Sequence, residues 1–223
     1  MIRALVFDFD GLILETEAPS LESWAEIYRE YGHEVPMEHW HSFLGSDRGF
    51  EPVDYLAALV GEGLDRAATQ ARRDARKMQL IEALEVMAGV REYLVDARRL
   101  GLLLAVASSS SREWVRGHLD RLDLTAHWDV IRCRDDVVRT KPAPDLYLSA
   151  IAALGVRAEE AVAFEDSMNG IAAAKDAGLR CVAVPNALTA AMDLRRADIR
   201  LSSLADEPLE RVLERLAGRQ GNG

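Results

Sequence analysis

The rhythm of hydrophobic positions changes twice along this chain. It opens on a short apolar run, Ile2 to Phe7, which reads as a buried strand and stops at Asp8-Phe9-Asp10-Gly11. From about Pro19 the period is helical, with Leu21, Trp24, Ile27 and Tyr31 on one face. Pro36 to Leu44, Asp54 to Val60 and Asp65 to Leu84 continue as helices, with a loop at Gly45-Ser46-Asp47-Arg48-Gly49. No strand is predicted between about residues 17 and 85. From Gly89 onward helices and strands alternate. The helices are Gly89 to Leu100, Arg112 to Leu122, Pro142 to Leu154, Met168 to Ala177 and Leu204 to Leu216. The strands are Leu102 to Ala107, Trp128 to Cys133, Glu160 to Phe164 and Leu179 to Val184. A polar tail, Gly218 to Gly223, is expected to fray.

Strands separated by single helices specify a parallel sheet covered on both faces. The fold class is α/β, with a helical block inserted directly after the first strand. With 223 residues, 49% of them apolar, the chain can bury one large core and an insertion. Lys and Arg number 27 against 37 Asp and Glu, a net charge of −10, which argues against nucleic-acid and anionic-membrane partners. Cys133 and Cys181 lack metal or redox spacing and read as reduced core thiols. The first apolar run meets Asp8 too soon for a signal peptide, and no run is long enough to span a bilayer. These features predict a cytoplasmic protein.

Ligands of such sheets bind beyond the carboxyl ends of the strands, and three strand ends here are polar: Asp8/Asp10, Ser108/Ser109 and Glu165/Asp166. Alternation along the first strand would aim Asp8 and Asp10 to one side. Lys141 precedes the rigid Pro142-Ala143-Pro144. Carboxylates without His or Cys favour a hard cation such as Mg²⁺. Serine hydroxyls, helix N-terminal amides and a lysine make an anion site beside it. Together they suggest phosphoryl chemistry. An ionised Asp is a ready nucleophile, and a second carboxyl must act as general acid and then base. Asp10, beside a like charge, is placed to have the higher pKa.

Four motifs, Asp-Phe-Asp-Gly-Leu (8–12), Val-Ala-Ser-Ser (106–109), Lys-Pro-Ala-Pro-Asp (141–145) and Phe-Glu-Asp-Ser-Met-Asn-Gly (164–170), resemble the haloacid dehalogenase superfamily. The likeness is to its phosphatase and β-phosphoglucomutase-like members with a helical cap. It implies a three-layer Rossmann-like core with a central parallel sheet (residues 1–16 and 86–223) and an α-helical cap (17–85). It implies Asp8 as the phosphorylated nucleophile and Asp10 as acid/base. Ser108, the Ser109 amide and Lys141 would bind phosphate. Mg²⁺ would be held by Asp8, the Asp10 carbonyl, Asp166 and Glu165. On the cap side, Arg48 and Thr16 are the candidate substrate contacts. True dehalogenases of this group typically lack the second aspartate, so Asp10 favours phosphoester chemistry.

The mutases of this group carry a histidine in a pattern like Asp-Thr-x-x-x-His, where this chain reads Glu15-Thr16-Glu17-Ala18-Pro19-Ser20. The expected activity is therefore a Mg²⁺-dependent phosphatase of a small phosphorylated metabolite, acting as a monomer. A sugar phosphomutase and a non-catalytic phospho-ligand binder are the alternatives. The run Arg72 to Lys77 is expected to be a solvated helix face, with a phosphate-facing member the minority outcome. Trp24 and Trp40 are expected in the cap core, with Trp24 lining the substrate pocket as the alternative, and His39 and His41 do not converge on a metal.

Overall fold

A computed structural model describes residues 1–43, 51–61 and 63–218. The opening apolar run forms β1 (Ala4–Phe7), which lies inside a six-stranded parallel sheet of order β3-β2-β1-β4-β5-β6. Its partners are β2 (Leu103–Ala107), β3 (Val130–Arg132), β4 (Ala161–Glu165), β5 (Arg180–Ala183) and β6 (Ile199–Arg200). The α/β fold expected from the alternation is present.

Both faces of the sheet are buried, but differently. On one side Leu5, Phe7, Leu104, Val106, Val162, Phe164 and Val182 pack under α5 (Val90–Arg99), α6 (Arg112–Arg121) and α9 (Leu209–Gly218). On the other, Ala4, Val6, Ala105, Ala107, Ala161, Ala163, Cys181 and Ala183 face α7 (Asp145–Leu154) and α8 (Met168–Asp176). The period of two inside each continuous apolar run thus separates large from small side chains. The small face lets α7 and α8 lie close to the sheet, which matters for the site below. Both cysteines are buried and free.

Between β1 and β2 the chain forms α1 (Glu17–Glu30), α2 (Met37–Phe43), α3 (Pro52–Val60) and α4 (Arg66–Glu82). Their own core is Trp24, Ile27, Tyr28, Val35, Trp40 and Leu56. The Tyr28 hydroxyl donates to the Pro52 carbonyl at 2.6 Å, and Arg76 forks onto Glu26 at 2.9 and 2.8 Å, tying α1 to α3 and α4.

Several boundaries differ from the sequence expectation, each for a local reason. The edge strand β6 is two residues long with one buried, too short to register as a period. Residues Leu204–Asp206 form a 3₁₀ turn, and α9 starts only after Pro208. Pro142-Ala143-Pro144 stand outside α7 as a rigid lead-in. The first helix starts at Glu17, so Pro19 sits in its first turn, where the missing N–H costs nothing. Finally, β1 ends at Phe7, so Asp8 and Asp10 follow the strand, and the alternation that would aim them to one side does not apply.

Candidate active site

Strand β1 has β2 on one side and β4 on the other, so the connections leave in opposite directions at this point of the sheet. Such a reversal opens a crevice beyond the strand ends. Asp8 follows β1, Ser108 follows β2, and Glu165 and Asp166 close β4. Gly11 turns the chain away with φ +77°, and a side chain there would strike the Asp166 carboxylate. The expected four-motif convergence is therefore met at one rim.

Lys141 is the centre of the charge arrangement. It is 1% exposed, and its ammonium lies 2.7 Å from Asp8 Oδ1 and 2.6 Å from Glu165 Oε1. Burial pulls its pKa down, but Asp8 and Glu165 outweigh this and hold it charged. Glu165 also accepts from the Tyr147 hydroxyl on α7 and from Ser167 Oγ at 3.4 Å. Asp166 accepts from Asn186 Nδ2 at 2.8 Å. One lysine does not balance three buried carboxylates. Burial, then repulsion from Glu165, pushes Asp8 well above the usual carboxylate range. Burial, then Asp8 and Glu165, does the same to Asp166. The upward push thus falls on Asp8 and Asp166, both buried beside Glu165.

Gly170, in the first turn of α8, abuts the Glu165 carboxylate so closely that a methyl group there would overlap all three of its end atoms. Gly170→Ala must therefore displace the carboxylate or the helix. We expect it to lower stability by about 1–3 kcal/mol, read from urea denaturation. Unchanged stability would mean that Glu165 has room to move.

Asp10 turns to a separate set of donors. Its Oδ1 accepts from Thr16 Oγ1 at 2.7 Å and from Trp114 Nε1 at 2.9 Å. Its Oδ2 accepts from Ser110 Oγ at 2.6 Å and from Ser108 Oγ at 3.3 Å. Thr16 precedes α1 as its N-cap residue, yet its side chain makes no capping bond. Glu15 Oε1 takes the Glu17 and Ala18 amides instead, at 2.9 and 3.1 Å, which leaves Thr16 for Asp10. Thr16, expected as a substrate contact, lines the cleft and donates to Asp10. Ser109 lines the same cleft.

The cleft, about 370 Å³, continues between the sheet rim and the helical block. Its far wall carries Glu17, Trp24, Trp40, Arg73 and Lys77. Arg72 and Arg76 point outward to Glu30 and Glu26, but Arg73 and Lys77, one turn apart on α4, face inward. The run is divided between a solvated pair and a pair that faces the cleft. The Arg73 guanidinium donates to Ser20 Oγ and lies over Trp24. Lys77 lies 4.3 Å from the Trp114 ring centroid. Burial, then Asp10, raises Glu17 to about 7. Arg48, with Gly45-Ser46-Asp47, falls outside the described residues.

Sequence reading missed Ser110, Trp114, Tyr147, Asn186 and Glu17, and gave an inward-facing member of the α4 run only as the minority outcome. Asn186 follows the end of β5 and was available to the same strand-end rule that found Asp166.

Asp8, Glu165 and Asp166 each offer an oxygen, and these lie within 4.8 Å of one another. An all-oxygen donor set with uncompensated negative charge fits a hard divalent cation. Among the described residues no helix is long and apolar enough to cross a membrane.

The site's composition agrees with comparison to known proteins. Residues 5–184 match the family described as "Haloacid dehalogenase-like hydrolase". The chain is 44% identical to "Putative phosphatase YhcW" of Bacillus subtilis (strain 168), over 97% of this chain and 98% of that one. It is 30% identical to "Phosphorylated carbohydrates phosphatase" of Thermotoga maritima, covering 80% and 82% of the two chains. Its fold superposes on the crystal structure of CbbY from Rhodobacter sphaeroides in complex with phosphate, with TM-score 0.74, 31% identity and coverage of 92% and 96%. With motifs, topology and relatives in agreement over most of its length, the chain belongs to the haloacid dehalogenase-like hydrolase family.

Proposed function

We propose that this hydrolase is a Mg²⁺-dependent phosphatase of a small phosphorylated metabolite, with an aspartyl-phosphate intermediate. The observation that carries the reading is the division of the two aspartates. Asp8 is embedded among Lys141, Glu165 and Asp166, whereas Asp10 stands apart among neutral donors.

In this reading Asp8 Oδ attacks phosphorus and the bond to the leaving oxygen breaks. Asp10 gives its proton to that oxygen. Asp10 then takes a proton from water as the water oxygen attacks the acyl phosphate, which frees phosphate and restores Asp8. Lys141, Ser108 Oγ and the Ser109 amide hold the phosphoryl oxygens, and Lys141 keeps like charges from repelling. Asp8, Asp166, the Asp10 carbonyl and Glu165 would hold Mg²⁺, which when bound supplies charge stabilisation to the phosphoryl group. Residues 17–85 act as the cap that closes the cleft and excludes water.

The relatives' names support a phosphorylated small molecule, since one acts on phosphorylated carbohydrates. Ser20, at the position of the mutases' histidine, is 7% exposed and committed to Arg73, which favours hydrolysis over phosphate return to a second sugar hydroxyl.

The test is phosphate release from a panel of sugar phosphates, polyol phosphates, nucleoside monophosphates and phosphoacids, with Mg²⁺ and with EDTA. We expect release that EDTA abolishes and Mg²⁺ restores. Interconversion of glucose 1- and 6-phosphate without net release would establish the mutase instead, and binding without turnover would establish the non-catalytic reading.

A further inference from the structure

Asp10 lies past the end of β1, so its direction is set mainly by the four side chains that donate to it. They are not equivalent. Ser108, Ser110 and Thr16 carry hydroxyl groups that rotate and can accept as well as donate. Trp114 offers an indole N–H, which only donates and whose direction is fixed by the ring.

The ring itself is well held. Ser111 caps α6 by accepting from the Trp114 amide at 3.3 Å, which sets the backbone of the first turn. The His118 ring packs edge-on, 4.4 Å away at 77°. The Lys77 ammonium, carried by α4 of the helical cap, rests 4.3 Å from the indole centroid. One indole therefore touches the Asp10 carboxylate of the core and a cation of the cap.

We propose that Trp114 is a positioning residue that fixes Asp10 through Oδ1, and that Lys77 makes this hold depend on cap closure. The inference rests on the reading of Asp10 as the acid–base group. Because Oδ1 already accepts from an obligate donor, the transferable proton belongs on Oδ2. There the Ser110 and Ser108 hydroxyls can turn from donor to acceptor without any backbone change. With the cap open, Lys77 leaves the ring and the indole loses its clamp, so the acid is set only around an enclosed substrate.

The experiment uses leaving groups that differ in their need for an acid. p-Nitrophenyl phosphate expels a stable phenolate, whereas an alkyl phosphate must have its oxygen protonated. The kcat/KM for each reports the steps up to phosphorylation of Asp8. The ratio of kcat/KM for the best alkyl phosphate of the panel to that for p-nitrophenyl phosphate is measured for the wild type and for W114F, K77M, W114F/K77M and D10N. We expect D10N to lower the ratio most, W114F to lower it about tenfold and K77M about threefold. The double variant should fall no further than W114F alone, because Lys77 acts through the ring.

If W114F lowers both rates alike, Trp114 only packs and the inference fails. If the two substitutions multiply, Lys77 acts on the substrate and the coupling fails. Should W114F not fold, an unchanged ratio in K77M overturns the coupling by itself. If D10N leaves the ratio unchanged, or no alkyl phosphate is turned over, the acid–base reading has failed, and this inference with it.

Discussion

Asp8→Asn is expected to abolish phosphate release while leaving the fold as stable as before or more so. The amide is not a nucleophile, so kcat/KM should fall by on the order of 10⁴–10⁶, the loss seen when a covalent nucleophile is removed. Stability should move the other way. Asp8 is 4% exposed, and burial and Glu165 both work against its charge. Replacing it by a neutral group of the same shape removes one of three crowded carboxylates. Lys141 keeps Glu165 as its partner at 2.6 Å. Thermal unfolding in EDTA should therefore show an equal or higher midpoint than the wild type. A variant retaining more than about 1% of wild-type kcat/KM would remove Asp8 from the nucleophile's role. A variant that is inactive because it unfolds would show Asp8 to be structural.

Much of this site was legible because strand ends carry it. Asp8, Ser108, Glu165 and Asp166 each follow an apolar run by one or two residues, and a parallel sheet brings such positions together. The helical block was legible from its period and from the absence of any strand. What escaped the sequence depends on distances between elements. Tyr147 reaches Glu165 because the alanine-rich face of the sheet lets α7 approach. Nothing within the run Asp145 to Leu154 distinguishes that tyrosine from a core residue. Trp114 reads as the first turn of an ordinary helix, and only the tertiary placement of α6 aims its N–H at Asp10. Five of the six residues from Arg72 to Lys77 are charged, so polarity alone does not tell which of them face water. The pairing of Arg72 and Arg76 with α1 decides it, leaving Arg73 and Lys77 for the cleft.

Lys141→Met should cost both activity and stability, and its pH dependence separates charge from packing. Lys141 is the cation on Asp8 and Glu165, and Glu165 is 0% exposed. Its removal leaves Tyr147 and Ser167 as Glu165's side-chain donors and the Phe9 amide, 2.7 Å away, on Asp8. Breaking a buried pair in this way costs about 3–5 kcal/mol at neutral pH. The sign of the pH effect follows from Asp8 and Asp166, whose folded pKa values are raised above the unfolded ones. In the window above the ordinary carboxylate range the folded chain holds protons that the unfolded chain has released. Stability therefore falls as pH rises through that window. Lys141 pulls Asp8 down. Without it the window extends upward and the loss at high pH deepens. The gap in unfolding midpoint between wild type and variant, measured in EDTA, should be widest near pH ~8 and narrow toward pH ~5. Saturating Mg²⁺ should narrow the gap at the high-pH end, because a cation held by Asp8, Glu165 and Asp166 offsets part of the same charge. A gap independent of both pH and Mg²⁺ would mean that the lysine's methylenes matter and its charge does not. In that case the uncompensated charge of the three buried carboxylates would not govern stability at this site.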